Sequence, residues 1–274
     1  MERARLIELI KERKSFLCVG LDSDPSKIPS CLQNEDNPIL AFNKAIIDAT
    51  RNYAVAYKPN IAFYEAMGAS GWETLMKTIE YIGENHFIIA DAKRGDIGNT
   101  SNYYAKAYFE KMNCDAITVS PYMGRDSVTP YLQYSGKWAI ILGLTSNEGA
   151  LDFQTQLMHT NRMLFQKVLA KSKEWGTDEN TMYVIGATRA EMLSQVRDIV
   201  PNHFLLIPGV GAQGGSLQEV AQYGMNKECG LLVNASRSII YTSGGGDFAN
   251  AAGLTAKKIQ EEMEVLLQNA GIAG

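Results

Sequence analysis

Histidine and cysteine are scarce in this chain of 274 residues, and neither is clustered. His86, His159 and His203 stand alone, with no H-x-x-x-H or comparable spacing, which argues against a histidine-built metal centre. Cys18, Cys31, Cys114 and Cys229 are scattered and form no C-x-x-C pair. A disulfide framework and a zinc site are therefore both disfavoured, and a reducing cytosolic setting is expected. No run approaches the ~18 apolar residues that a membrane-spanning helix needs. There is no excess of positive charge either: the net charge is −4, which argues against a nucleic-acid binder. The densest basic cluster, Arg3, Arg5, Lys11, Arg13 and Lys14, is interleaved with Glu2, Glu8 and Glu12. It reads as the solvated face of a surface helix at the N-terminus, not as a phosphate groove or a secretory leader. Trp72, Trp138 and Trp175 follow no pattern and are expected to pack in the core or at its rim.

What the chain does have is repetition. With 46% apolar and 20% charged residues it has an ordinary globular composition. Eight short apolar runs, 16–21, 54–58, 87–90, 116–120, 138–144, 182–186, 204–208 and 231–234, alternate with longer amphipathic stretches. The latter fall at 38–52, 70–84, 99–112, 125–135, 158–175, 188–199, 215–223 and 247–270. Strands separated by helices imply a parallel sheet, and continuous apolar runs suit strands buried on both faces. Eight such repeats in a chain close to the ~250 residues typical of the fold predict an α/β protein, a single (β/α)8 TIM barrel with an N-terminal helix. No linker or low-complexity tract divides it, so one domain over residues 1–274 is expected.

A barrel gathers its functional groups at the C-terminal ends of its strands. Those ends carry Asp22, Lys58, Asp91 with Lys93, Ser120, Ser146, Thr188, Gln213 and Arg237. The densest stretch is Ile89-Ala90-Asp91-Ala92-Lys93-Arg94-Gly95-Asp96-Ile97-Gly98-Asn99-Thr100, where an apolar run passes straight into four charges. Asp91 and Lys93, two apart on a strand, point the same way. Charges leave water only when paired or put to use, so this is either a structural ion pair or working chemistry. Downstream, Pro208-Gly209-Val210-Gly211-Ala212-Gln213-Gly214-Gly215 follows the seventh run and Asn234-Ala235-Ser236-Arg237-Ser238 the eighth. Glycines let backbone N–H groups approach an anion, and the guanidinium of Arg237 suits phosphate oxygens. The Gly244-Gly245-Gly246 run reads as a plain turn, and Tyr103, Tyr104 and Tyr108 as packing or interface residues.

The segment from Asp91 to Thr100 resembles the D-x-K-x-x-D-I-x-x-T signature of the orotidine 5′-phosphate decarboxylases. Val19-Gly20-Leu21-Asp22, Tyr57-Lys58-Pro59-Asn60 and the two glycine- and serine-containing turns resemble further segments of that family in the same order, over about residues 16–240. Its longer early and middle loops suggest the bacterial long-loop branch. The resemblance implies a barrel that acts as a homodimer without metal or organic cofactor. It also implies conversion of orotidine 5′-monophosphate (OMP) to UMP and CO2 in de novo pyrimidine synthesis. Lys58, Asp91, Lys93 and Asp96 match the family's alternating charged array, with Lys93 the proton donor to C6. Asp96 and Thr100 match residues that reach the neighbouring subunit's site. Asp22 and Lys58 match ribose contacts, and Pro208, Gln213, Gly215, Ser236 and Arg237 fall in the phosphate segment. Ser146 matches the serine on the pyrimidine edge, although Thr145 and Asn147 flank it.

Two other readings compete. A Mg²⁺-dependent 3-keto-L-gulonate 6-phosphate decarboxylase shares D-x-K-x-x-D, but should carry an acidic metal ligand after the second strand. Here Lys58-Pro59-Asn60 stands there, with Glu65 further on. A non-catalytic nucleotide-binding barrel is the third reading.

Overall fold

The computed structural model describes residues 1–186, 191–209 and 215–273. Eight parallel strands close into a barrel in chain order. They are β1 (Leu17–Leu21), β2 (Ala56–Pro59), β3 (Phe87–Arg94), β4 (Ala116–Val119), β5 (Trp138–Leu144), β6 (Thr181–Ile185), β7 (Phe204–Pro208) and β8 (Leu231–Ala235). Each matches one expected apolar run to within a few residues, and the pairing of β8 with β1 completes the closure. Both faces are covered, which is why every residue of β1, β2, β4, β6 and β8 is buried.

Among the described residues the α-helices are α1 (Arg3–Arg13), α2 (Pro38–Thr50), α3 (Ile61–Glu65), α4 (Ala69–Ile82), α5 (Gly98–Ala105), α6 (Ala150–Phe153), α7 (Leu164–Ser172), α8 (Met192–Ile199), α9 (Leu217–Gly224), α10 (Arg237–Ile240) and α11 (Phe248–Asn269). A π-helical segment, Lys106–Lys111, prolongs α5. The stretch 125–135, expected as a helix, instead forms two single 3-10 turns, Arg125–Ser127 and Tyr131–Gln133. Pro130 lies between them and offers no N–H to continue a helix through that point.

The floor of the barrel is aromatic. Phe87, Trp138 and Phe204 open the alternate strands β3, β5 and β7 and meet edge to face, at 6.0 Å and 6.3 Å between ring centroids. Layers built from alternate strands are how such a barrel fills its interior. Below them lies α1, whose Leu6, Leu9 and Ile10 are buried. The expected fully solvated basic face is corrected here. Arg3 is buried, donates to the carbonyls of Asp178 and Asn202, pairs with Glu228, and stacks over Phe204. Arg13 donates to the carbonyls of Arg51, Ala54 and Asn85. These guanidiniums satisfy loop carbonyls at the N-terminal ends of the strands, while Arg5, paired with Glu8 and Glu12, is the solvated one. With this end sealed, the open rim is the C-terminal one. Among the described residues no helix is long and apolar enough to cross a membrane.

Candidate active site

The end of β2 delivers Lys58 into the barrel mouth, where only 5% of its surface remains exposed. Its Nζ donates to Asp91 Oδ2 at 2.7 Å, and Lys93 Nζ donates to Asp91 Oδ1 at 2.6 Å. Asp91 is thus the centre of a cation–anion–cation row. Burial alone would depress the Lys58 ammonium, but the carboxylates of Asp91 and Asp22 outweigh it and hold its pKa above the ordinary lysine value. Burial would likewise raise Asp91; Lys58 and Lys93 outweigh it and hold the carboxyl well below the usual carboxylate range. Lys58 and Asp91 therefore stay charged though buried. Lys93 differs, because its side chain is 52% exposed at the rim and can meet a ligand.

An irregularity in β3 creates this geometry. Ala90 pairs with Ile117 and Arg94 with Val119, so Asp91, Ala92 and Lys93 bulge opposite the single residue Thr118. Bulges re-aim side chains at barrel rims. Within this one Lys93 adopts φ +48°, a left-handed conformation rare for a residue with a side chain. Thr118, which sequence reasoning passed over inside an apolar run, accepts the Lys93 N–H at 2.9 Å and donates to Asp91 Oδ1 at 3.0 Å. A hydroxyl in a strand beside the charged one was the available signal. Arg94 was also missed. It pairs with Glu65 and lies over the ring of Tyr104.

Lys58 and Asp91 of the charged row line a cavity of about 180 Å³ together with Asp22, Pro208, Ser236 and Arg237, among others. One oxygen of Asp22 is buried there without a hydrogen-bond partner, as is Asn234 Oδ1. Tyr241 Oη donates to the Asp22 carbonyl and accepts the Asp24 N–H, tying the β1 turn to the segment after β8. Arg237 is exposed and makes no ion pair among the described residues. Ser236 Oγ donates to the Gly20 carbonyl at 3.3 Å. Gly215 is buried just before α9, and Gln213 and Thr188 lie outside the described residues.

A second cavity, of about 230 Å³, opens at the ends of β5 and β6 and is lined by Thr145, Ser146, Asn147 and Gly186. A Cβ at Gly186 would lie 2.8 Å from the Ser146 backbone nitrogen, so glycine there is what lets the two turns touch. Asp96 and Thr100 are not brought to the charged row. The Asp96 carboxylate accepts the Ile97 N–H at 2.7 Å, and Thr100 is exposed on α5. A wider concavity, about 880 Å³, lies at the opposite end around the starts of β3 and β5. Its walls are mostly exposed side chains of both signs, such as Arg5, Glu73, Lys77 and Lys111, and the charged row is not part of it. Among the described residues no three histidine, cysteine or acidic side chains converge as metal ligands would.

Comparison with known proteins agrees with this geometry. The orotidine 5′-phosphate decarboxylase / HUMPS family profile matches residues 15–249. The chain is 58% identical over 270 residues to the orotidine 5′-phosphate decarboxylase of Phocaeicola vulgatus, covering 97% of this chain and 99% of that protein. Among solved structures, Leishmania donovani OMP decarboxylase superposes with a TM-score of 0.81 at 34% identity, over 95% of this chain and 98% of that one. Leishmania donovani UMP synthase superposes with a TM-score of 0.83 at 36% identity, and this chain spans 56% of its length. With its barrel, its charged rim and its sequence in accord over nearly the full length, the chain belongs to the orotidine 5′-phosphate decarboxylase / HUMPS family.

Proposed function

We propose that this chain decarboxylates OMP to UMP and CO2, the step that completes UMP in pyrimidine biosynthesis. The observation that carries the reading is the Lys58–Asp91–Lys93 row at the mouth of a cavity that also holds Arg237. Breaking the bond from C6 to the carboxylate leaves the electron pair on C6, a carbanion that water stabilises poorly. The Lys93 ammonium, held by Asp91, stabilises that charge as it develops and then transfers a proton to C6. Lysine suits both tasks, since arginine does not give up its proton. The lysine regains a proton from solvent, which its exposed position allows.

The remaining expected contacts fit around this centre. Asp22 and Lys58 face the ribose hydroxyls, the unpartnered Asp22 oxygen being an acceptor in waiting. Pro208, Gly215, Ser236 and Arg237, with Gln213, serve the phosphate, and Ser146 serves the pyrimidine edge. Binding energy from the distant phosphate can hold the reacting ring in place. Asp96 and Thr100 act in the partner subunit's site of a homodimer. Supporting that assembly, Ile97, Tyr103, Tyr122 and Met123 expose apolar surface around the same loop, at 57%, 68%, 89% and 45%. The enzyme is expected to be cytoplasmic and to act as one barrel domain over residues 1–274, without metal or cofactor. A magnesium-dependent sugar-phosphate decarboxylase is disfavoured because Glu65, the acid following β2, is engaged by Arg94.

The test is loss of OMP absorbance with EDTA present, for wild type beside Lys93→Ala and over a dilution series. Conversion to UMP that falls by at least ~10³-fold in the variant supports the reaction and the proton donor. Tight UMP binding without conversion points instead to a nucleotide-binding barrel. Full activity at dilutions where the protein is monomeric overturns the shared site.

A further inference from the structure

We infer that Thr118 is a positioning residue for the catalytic pair Asp91 and Lys93, acting through its single hydroxyl. The inference rests on the reaction proposed above and extends it to a residue that touches no substrate.

Parallel strands exchange regular backbone hydrogen bonds, and the bulge of β3 breaks that ladder where the chemistry sits. Between the pairs Ala90–Ile117 and Arg94–Val119, Thr118 is the sole residue of β4 facing Asp91, Ala92 and Lys93. The Lys93 N–H, turned by the left-handed backbone, finds Thr118 Oγ1 at 2.9 Å instead of a strand carbonyl. The same oxygen sends its proton to Asp91 Oδ1 at 3.0 Å. Accepting from one group and donating to the other fixes the hydroxyl in one orientation. Thr118 is 1% exposed, so no water competes for either bond.

The consequence is mechanical. Asp91 Oδ1 is also the atom that holds Lys93 Nζ, at 2.6 Å. Thr118 thus grips Lys93 from both ends: the backbone directly, and the ammonium through the carboxylate. Without the hydroxyl the carboxylate loses one of three side-chain donors and the strained Lys93 backbone loses its amide partner. The exposed lysine side chain then samples positions away from the reacting carbon. Ground-state binding depends on this far less, because the phosphate contacts lie elsewhere in the cavity and Lys58, the ribose contact within the row, is held by the other carboxylate oxygen, Asp91 Oδ2.

The experiment compares wild type, Thr118→Val and Thr118→Ser in OMP turnover, UMP affinity and thermal unfolding. Valine keeps the shape and removes the hydroxyl; serine keeps the hydroxyl and removes the methyl group. Thr118→Val is expected to lower kcat by ~10- to 100-fold, the usual consequence of a misplaced catalytic group. KM and UMP affinity should stay within about threefold, because positioning loss falls on kcat. Thr118→Ser should recover most of the rate. Equal kcat in wild type and Thr118→Val, or a serine variant as slow as the valine one, overturns the role of Thr118 while leaving the proposed reaction intact. So does a defect that falls on KM alone. Absence of OMP turnover by the wild type overturns the reaction itself, and the positioning role with it.

Discussion

Asp91 is the side chain on which most depends, since two cations and a hydroxyl converge on its two oxygens. Lys58 is buried and Asp91 is its one ion-pair partner among the described residues. Replacing Asp91 with asparagine preserves shape but removes the one carboxylate paired with the buried ammonium, leaving only the longer-range attraction of Asp22. Removing one partner of a buried pair costs more than the pair itself contributes. Asp91→Asn should therefore destabilise the fold by about 3 kcal/mol as well as stopping turnover. Chemical denaturation checks the first and the OMP assay the second; a variant as stable as wild type would show that Lys58 finds another counter-charge.

Strand β3 and helix α4 carry different constraints. The bulge in β3 trades regular pairing for a re-aimed acid and lysine, which suits a position at the rim. At the start of α4 the constraint is steric. A Cβ on Gly71 would lie 1.8 Å from the Tyr64 carbonyl oxygen of α3, and backbone cannot yield as a flexible side chain does. Gly71→Ala should lower stability by about 2 kcal/mol by forcing α3 and α4 apart. It should leave the activity of the folded fraction unchanged. An unaltered urea midpoint would mean that the two helices can separate without cost.

Acid sensitivity belongs to the barrel as a unit, because its buried histidines must stay neutral to fold. His86 and His203 are 4% and 8% exposed. Burial, helped by nearby arginines, pushes both pKa values down to about 4. Arg13 and Arg51 surround His86; Arg3, Arg197 and Lys173 oppose the favourable Asp178 around His203. The folded values lie below the unfolded one, so the unfolded chain binds these protons first. Their contribution is intact above about pH 6.5 and is lost as the pH falls through that value towards the folded one. Asp91, with its depressed folded pKa, acts in the same direction at lower pH. Each histidine should cost ~1–3 kcal/mol by pH 4. His203→Phe, whose ring nitrogens make no hydrogen bonds, should flatten the acid limb measured by urea midpoints between pH 6.5 and about 4. An acid limb as steep as in wild type would exclude His203 as a source.

The amino-acid sequence by itself determined the barrel, its eight strands and the end at which charge collects. These depend on apolar runs, amphipathic period and turn residues, all of which are local properties of the chain. The D-x-K-x-x-D segment and the two late turns were legible for the same reason. Tertiary structure alone decided which charges meet. Lys58 and Asp91 lie 33 positions apart and touch only because β2 and β3 are neighbours in register. Thr118 and Arg94 acquire their partners only once β3 bulges, and a bulge depends on pairing with another strand. The basic N-terminal helix looked solvated because the loop carbonyls that Arg3 and Arg13 satisfy come from distant segments. Local pattern sets where side chains point along an element; closure of the barrel sets what they find there.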